Sequence, residues 1–231
     1  MVISVKTALL TCLVALAGSV GAAKAGTYTI ETSTGLTSGG GINTTSTDPF
    51  SGANTASATF TFTGALNFSD TANQNSGPSG DLNDTFGFTA ANVSNYSGYG
   101  TVTEGTTPVA NFSSLATYLT SSGSASNFQY ASWYEIDLGV LSAGTVLTVT
   151  HDDGASVYQN GGDLGGMVEG PTGAVTNTLE LTNTADTVLY YTRQNGTPSV
   201  LQVAVPEPAS IALFGAGLAA IGFIRRRNQA L

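Results

Sequence analysis

The chain has 231 residues, a formal net charge of −9 and only 9% charged residues, a length that allows one or two domains. Of its 15 acidic residues, 14 fall within 26–205, where Arg193 is the one basic residue, so this segment carries a formal −13. Such a surface repels phosphate and excludes nucleic acid as a partner. Half of the same segment is Gly, Ser, Thr and Asn, a composition suited to short strands joined by many turns.

Residues 1–25 read as a secretory signal, the substrate of a signal peptidase. Lys6 is the lone n-region charge and residues 8–17 form an apolar core broken only by Thr11 and Cys12. Ala23-Lys24-Ala25 is a small-residue cleavage site placed before Gly26. About ten apolar residues are too few to span ~30 Å of hydrocarbon. Cleavage removes Cys12, the only cysteine, and with it disulfides, thiol catalysis and Cys-zinc sites. One histidine, His151, leaves no His-rich zinc centre either.

From residue 26 onward the dominant pattern has period two. Phe60 and Phe62 alternate with Thr59, Thr61 and Thr63; Tyr134, Ile136 and Leu138 alternate with Trp133, Glu135 and Asp137. Further on, Leu147 and Val149 alternate with Thr148 and Thr150, and Leu179 and Leu181 with Thr178, Glu180 and Thr182. This alternation predicts half-buried antiparallel strands. It assigns Phe60, Phe62, Ile136, Leu147, Val149, Leu179 and Leu181 to the core. Val188-Leu189-Tyr190-Tyr191 is apolar on both faces and reads as a central strand. A single short helix is predicted over 113–119, capped by Asn111 or Ser113, and residues 39–41 and 70–84 read as surface loops. The expected fold is all-β: an antiparallel, jelly-roll-like β-sandwich over 26–204, flanked by an N-terminal signal helix and a C-terminal hydrophobic helix.

Residues 144–161 hold the most informative internal stretch. A strand runs into Asp152-Asp153-Gly154, a second passes through Val157 and Tyr158, and Asn160-Gly161 closes a hairpin. Residues 126–204 resemble in this respect the protective-antigen-type sandwich domain of toxins, glycosidases and fungal adhesins, whose hallmark is strand, Asp-Asp-Gly, strand, Gly. Residues 26–125 show no such likeness. The resemblance implies that Asp152 and Asp153, joined by a cis peptide, help to hold a Ca²⁺ that bridges to sugar hydroxyls. The family's further ligands come from another loop and are not identifiable in this sequence. The alternative is that Asp152-Asp153-Gly154 shapes a tight turn in which one carboxylate accepts from backbone N–H groups.

The C-terminus carries the most specific pattern. Val205-Pro206-Glu207-Pro208-Ala209-Ser210 leads into an apolar run over 211–224 and then Arg225-Arg226-Arg227. A helix over 209–224 measures about 24 Å at 1.5 Å per residue, slightly short for a bilayer. The arginine cluster orients it with the body outside. Pro206 and Pro208 keep Glu207 extended, in a form that an enzyme can grip. Residues 205–231 strongly resemble the bacterial PEP-CTERM sorting signal. That resemblance implies recognition and processing by an exosortase after transient anchoring in the membrane.

Candidates for chemistry are few. His151 shares parity with Leu147 and Val149 and belongs at the edge of the apolar face; no nucleophile-elbow pattern accompanies it. Trp133 either stacks on a sugar or packs as a structural residue of its strand. Paired acids for glycoside hydrolysis are available among 14 carboxylates, yet one Trp and one Arg make a poor glycosidase cleft. The sequence therefore reads as an exported, non-catalytic cell-envelope or extracellular-matrix protein. A calcium-assisted carbohydrate-binding module, with exopolysaccharide or another glycan as partner, is the alternative, and a secreted hydrolase a distant third. Exposure of Trp133 beside the Asp-Asp loop would favour the lectin-like reading, and burial of both the structural one.

Overall fold

Alternating threonine and apolar residues give this chain its sheets. The computed structural model describes residues 25–37, 41–50, 52–70, 87–121, 130–194 and 199–205. The signal segment to residue 24, Pro206-Glu207-Pro208, both terminal helices, Arg225 to Arg227 and most of the two expected loops lie outside the described residues. The described elements fall in the unit Ala23–Ala204. In chain order they are β1 (Ala25–Leu36), β2 (Thr55–Ala65), β3 (Asn67–Asp70), β4 (Val93–Glu104), β5 (Thr107–Asn111) and the helix α1 (Leu115–Thr120). Then follow β6 (Tyr130–Leu141), β7 (Val146–Asp152), β8 (Ala155–Gln159), β9 (Gly162–Asp163), β10 (Val175–Glu180), β11 (Ala185–Gln194) and β12 (Ser199–Ala204).

The strands form two antiparallel sheets, as the alternation predicted. One has eight strands in the order β5-β4-β2-β1-β6-β11-β8-β9 and the other four, β10-β7-β12-β3. From β6 onward the chain passes from one sheet to the other at nearly every connection, so each half of the sandwich is held by its neighbours in sequence. The β8–β9 hairpin closes through Asn160 and Gly161, both with positive φ (50° and 76°), the backbone that a two-residue Asn-Gly turn demands.

Phe60, Phe62, Ile136, Leu147, Val149 and Leu181 are buried where parity placed them. Aromatic rings tie the two layers: Phe62 of β2 meets Phe68 of β3 edge-on at 5.2 Å, and Phe88 stands 4.9 Å from Phe68 and 5.0 Å from Phe60. Leu179 departs from expectation and is only half-buried. Its strand, β10, is the edge of the smaller sheet with β7 as its one neighbour, so its inward side chains are covered from one side. Helix α1 begins two residues later than predicted. Ser114 caps it, accepting from the Thr117 N–H while the Thr117 hydroxyl reaches back to the Ser114 N–H, a reciprocal cap built from two hydroxyls. Among the described residues no helix is long and apolar enough to cross a membrane.

Parity makes a direct test. Leu147→Ala removes a fully buried side chain and should cost about 2–5 kcal/mol. Thr148→Ala, on the opposite face of β7, should change stability by less than about 0.5 kcal/mol. Denaturant melts of the two variants give the comparison; equal losses would mean that β7 is buried on both sides.

Candidate functional site

Asp152-Asp153-Gly154 is a corner. Strand β7 ends in the four-stranded sheet at Asp152 and β8 begins in the eight-stranded sheet at Ala155, so these residues carry the chain between layers. The Asp152–Asp153 peptide bond is cis, as the resemblance implied. Gly154 has no space for a side chain: a Cβ there would lie 2.0 Å from the Glu169 carbonyl oxygen. The segment around Glu169 is pinned against the corner, with Ala155 N–H donating to the Val168 carbonyl (2.9 Å) and Thr44 N–H to the Glu169 carbonyl (2.8 Å).

Strand β11 satisfies three of the corner's oxygens. The Tyr191 hydroxyl donates to the Asp152 carbonyl, Thr192 N–H to the Gly154 carbonyl (2.9 Å), and Gln194 N–H to Asp153 Oδ2 (2.8 Å). Further backbone N–H groups, from Thr172 and Ala174, reach Asp153 and Asp152 respectively. His151 is fully buried, as its parity indicated. Its Nδ1 donates to the Asp153 carbonyl (2.6 Å) and its Nε2 lies 2.8 Å from Asn177 Oδ1. Both ring nitrogens are thus spent on holding β7 to the corner and to β10. A buried turn with its carboxylate bonded to backbone N–H groups is the alternative that the sequence left open, and this geometry is of that kind.

The carboxyl groups are nevertheless unusual. Asp152 is 7% and Asp153 4% exposed. Burial pushes the Asp153 carboxyl up to about 7; the Gln194 and Thr172 N–H groups and Arg193 pull it down, and Asp152 adds to the rise. Asp152 is raised as well, chiefly by burial, with His151 and the Ala174 N–H opposing. Sequence reasoning missed Arg193. It is buried, donates from Nε to Ser199 Oγ at 3.0 Å, and its charge acts on Asp153 and on the buried Tyr118, Tyr134 and Tyr191. Neighbouring residues in the sequence do not mark it, because the groups it acts on, Ser199 and Asp153, lie on other elements.

Trp133 is 2% exposed and has no free face for a sugar. It lies on the outer side of the larger sheet, yet residues 41–50 cover it: its Nε1 donates to the Thr45 carbonyl (2.9 Å), and Ser33 Oγ beside it donates to Asp48 (2.6 Å). Tyr190 stacks on it at 5.7 Å. Trp133 and the Asp pair are thus both buried, the outcome that favours the structural reading. Beyond this covered strip the same face opens into a cleft of about 340 Å³ lined by Thr29, Glu31, Glu135, Asp137, Asp186 and Val188. Glu31 and Glu135 are direct cross-strand partners. Burial, then Glu31 and Asp137, hold the Glu135 carboxyl above its ordinary range. Like charges in such positions repel.

Asp152 and Asp153 match calcium in kind, since a hard cation takes carboxylate oxygens, but Ca²⁺ takes six to eight oxygen ligands in all. Among the described residues no group of three or more His, Cys, Asp or Glu is placed to hold a metal ion. The remaining ligands would have to be backbone carbonyls and water.

Comparison with known proteins identifies one end of the chain. Residues 204–227 match the PEP-CTERM protein-sorting motif, which marks the chain as an exported protein. No curated protein matches it in sequence. Among solved structures it is similar to a PA14 sugar-binding domain from an RTX adhesin, at 15% identity and a TM-score of 0.43, over 78% of this chain and 89% of that one. It is also similar to the PA14 domain of the antifreeze protein MpAFP, at 17% identity and a TM-score of 0.36, over 82% and 87% of the two chains.

The raised carboxyl groups set a pH dependence. The folded Asp153 holds its proton to about pH 7, whereas its ordinary value is 3.8. Between these values the native state binds more protons than the unfolded one, so stability falls as pH rises from about 4 to 7. Asp152 and Glu135 act in the same sense. In a chelating buffer the melting temperature of residues 26–205 should be higher at pH 5 than at pH 7.5. Asp153→Asn should remove much of that difference; an unchanged difference would place the titration elsewhere.

Proposed function

We propose that this is an exported, non-catalytic protein of the cell envelope or extracellular matrix, organised as a signal peptide (1–25), a β-sandwich body (26–204) and a sorting and anchor segment (205–231). The observation that carries the reading is the sorting motif at 204–227, which begins on the last residue of the sandwich's final strand. Signal peptidase acts before Gly26. An exosortase recognises Pro206-Glu207-Pro208 while the apolar helix and Arg225, Arg226 and Arg227 hold the tail in the inner membrane. The non-catalytic character is supported by the corner, where His151 and the Asp pair are occupied by hydrogen bonds within the fold. Intact-mass measurement of the protein recovered from the envelope tests the sorting. The mature chain should lack both residues 1–25 and Arg225 to Arg227; mature protein that retains the arginines would leave a plain tail anchor.

A second reading has its own support. Two adjacent carboxyl groups whose ionisation is opposed by burial gain when a divalent cation takes up their charge. In this reading Ca²⁺ at Asp152 and Asp153 braces the corner and offers open coordination positions to the hydroxyls of a glycan or exopolysaccharide. Trp133, being covered, has no part in it. The acidic surface also attracts calcium diffusely, so the site is defined by persistence in ~0.15 M salt and by dependence on this pair. At pH 7.5, calcium should raise the melting temperature of residues 26–205. Replacing both residues, Asp152→Asn with Asp153→Asn, should abolish that rise while the protein stays folded. An unaltered response in the double variant would remove calcium, and the lectin-like function with it.

A further inference from the structure

The sorting motif and the folded body share a residue. The motif match begins at Ala204, which is still the last residue of β12 and pairs with Thr148 of β7. Val205 alone separates it from Pro206. The end of β12 is firmly built in: Val203 is buried, pairs with Val149, and donates its N–H to the Leu66 carbonyl at 2.8 Å. Leu201, two residues earlier, is fully buried.

An enzyme that holds an extended peptide spans several residues on each side of its recognition motif, each taking up about 3.3–3.6 Å. On the N-terminal side of Pro206 this chain supplies one free residue before the sandwich begins. A longer grip takes Ala204 and Val203, whose backbone groups are already paired within the sheet. We propose that tail processing and closure of β12 exclude one another: the sorting enzyme engages this chain only when the end of β12 is open, before the sandwich closes or during local fraying of the strand. The proposal rests on the sorting reading above. Strand ends open locally at a fraction of the global unfolding free energy, so a folded precursor is processed at a rate scaled down by the open fraction. Folding thereby sets the time available for sorting.

The test uses the full-length precursor, folded in membranes without exosortase and then exposed to membranes that contain it, with loss of the arginine tail followed by mass. Inserting six Gly/Ser residues between Ala204 and Val205 should raise the initial rate about tenfold, the factor that corresponds to an opening cost of ~1.4 kcal/mol. Leu201→Ala loosens β12 and should raise the rate of the parent chain while leaving that of the spacer chain unchanged. A variant that fails to fold altogether should also be processed fast. Equal rates for parent and spacer chains, or equal acceleration of both by Leu201→Ala, would overturn the proposal. If no chain loses its tail, the sorting reading itself fails and the proposal falls with it; processing at a rate blind to the spacer leaves the sorting reading intact.

Discussion

The structure depends on one constraint: a chain that changes sheets must satisfy its backbone polar groups at the crossing, where neither sheet's ladder is available to do so. At Asp152-Asp153-Gly154 that duty falls on β11. The Tyr191 hydroxyl and the Thr192 and Gln194 N–H groups bond the corner in turn, and His151 fastens it from below. Side chains that look like chemistry in the sequence, a histidine beside two aspartates, are thereby joints of the sandwich. The burial that makes them good joints also raises their carboxyl groups.

A second consequence concerns the larger sheet. A sheet eight strands wide exposes two long faces, and only one packs on the four-stranded sheet. Residues 41–50 cover part of the other face over Trp133, Ser33, Ser156 and Thr192, through hydrogen bonds from Trp133, Ser33 and Ser156 into the segment and from Thr44 Oγ1 to Thr192 Oγ1. Among the described residues the rest of this face carries threonines and carboxylates together with Val188 and the exposed Tyr99. Acidic, hydroxyl-rich faces repel one another and bind water well, which suits an exported protein.

Both ends of the body emerge at the same end of the sandwich. Ala25 pairs with Ala65, and the next residue, Leu66, accepts from Val203 near the exit of β12. The corner lies at the other end of β7, where Asp152 pairs with Val200. Ala25 and Ala204 thus lie at one pole of the sandwich, and the buried acidic corner occupies the other.

Much of this was legible in the sequence. Period-two alternation at 59–63, 133–138 and 146–150 reports which face of a strand is dry, because side chains alternate across the pleat whatever the partner strand. Motifs read by other proteins, such as 205–231, are local by necessity and so survive as sequence. Three things were out of reach: the cover over Trp133, the half-exposure of Leu179 and the burial of Arg193. Alternation says which side of a strand is apolar, but Trp133 is buried on the polar side by a segment about 90 residues away in sequence. Leu179 has the same pattern as Leu147, and only its place on an edge strand leaves it half-covered. The sequence by itself determined the strands that alternate at 59–63, 133–138 and 146–150, their inward faces and the address at the C-terminus, since each depends on neighbouring residues alone. Only the tertiary structure decided that His151, Asp152, Asp153 and Tyr191 form one corner, because their hydrogen bonds join strands that belong to different sheets.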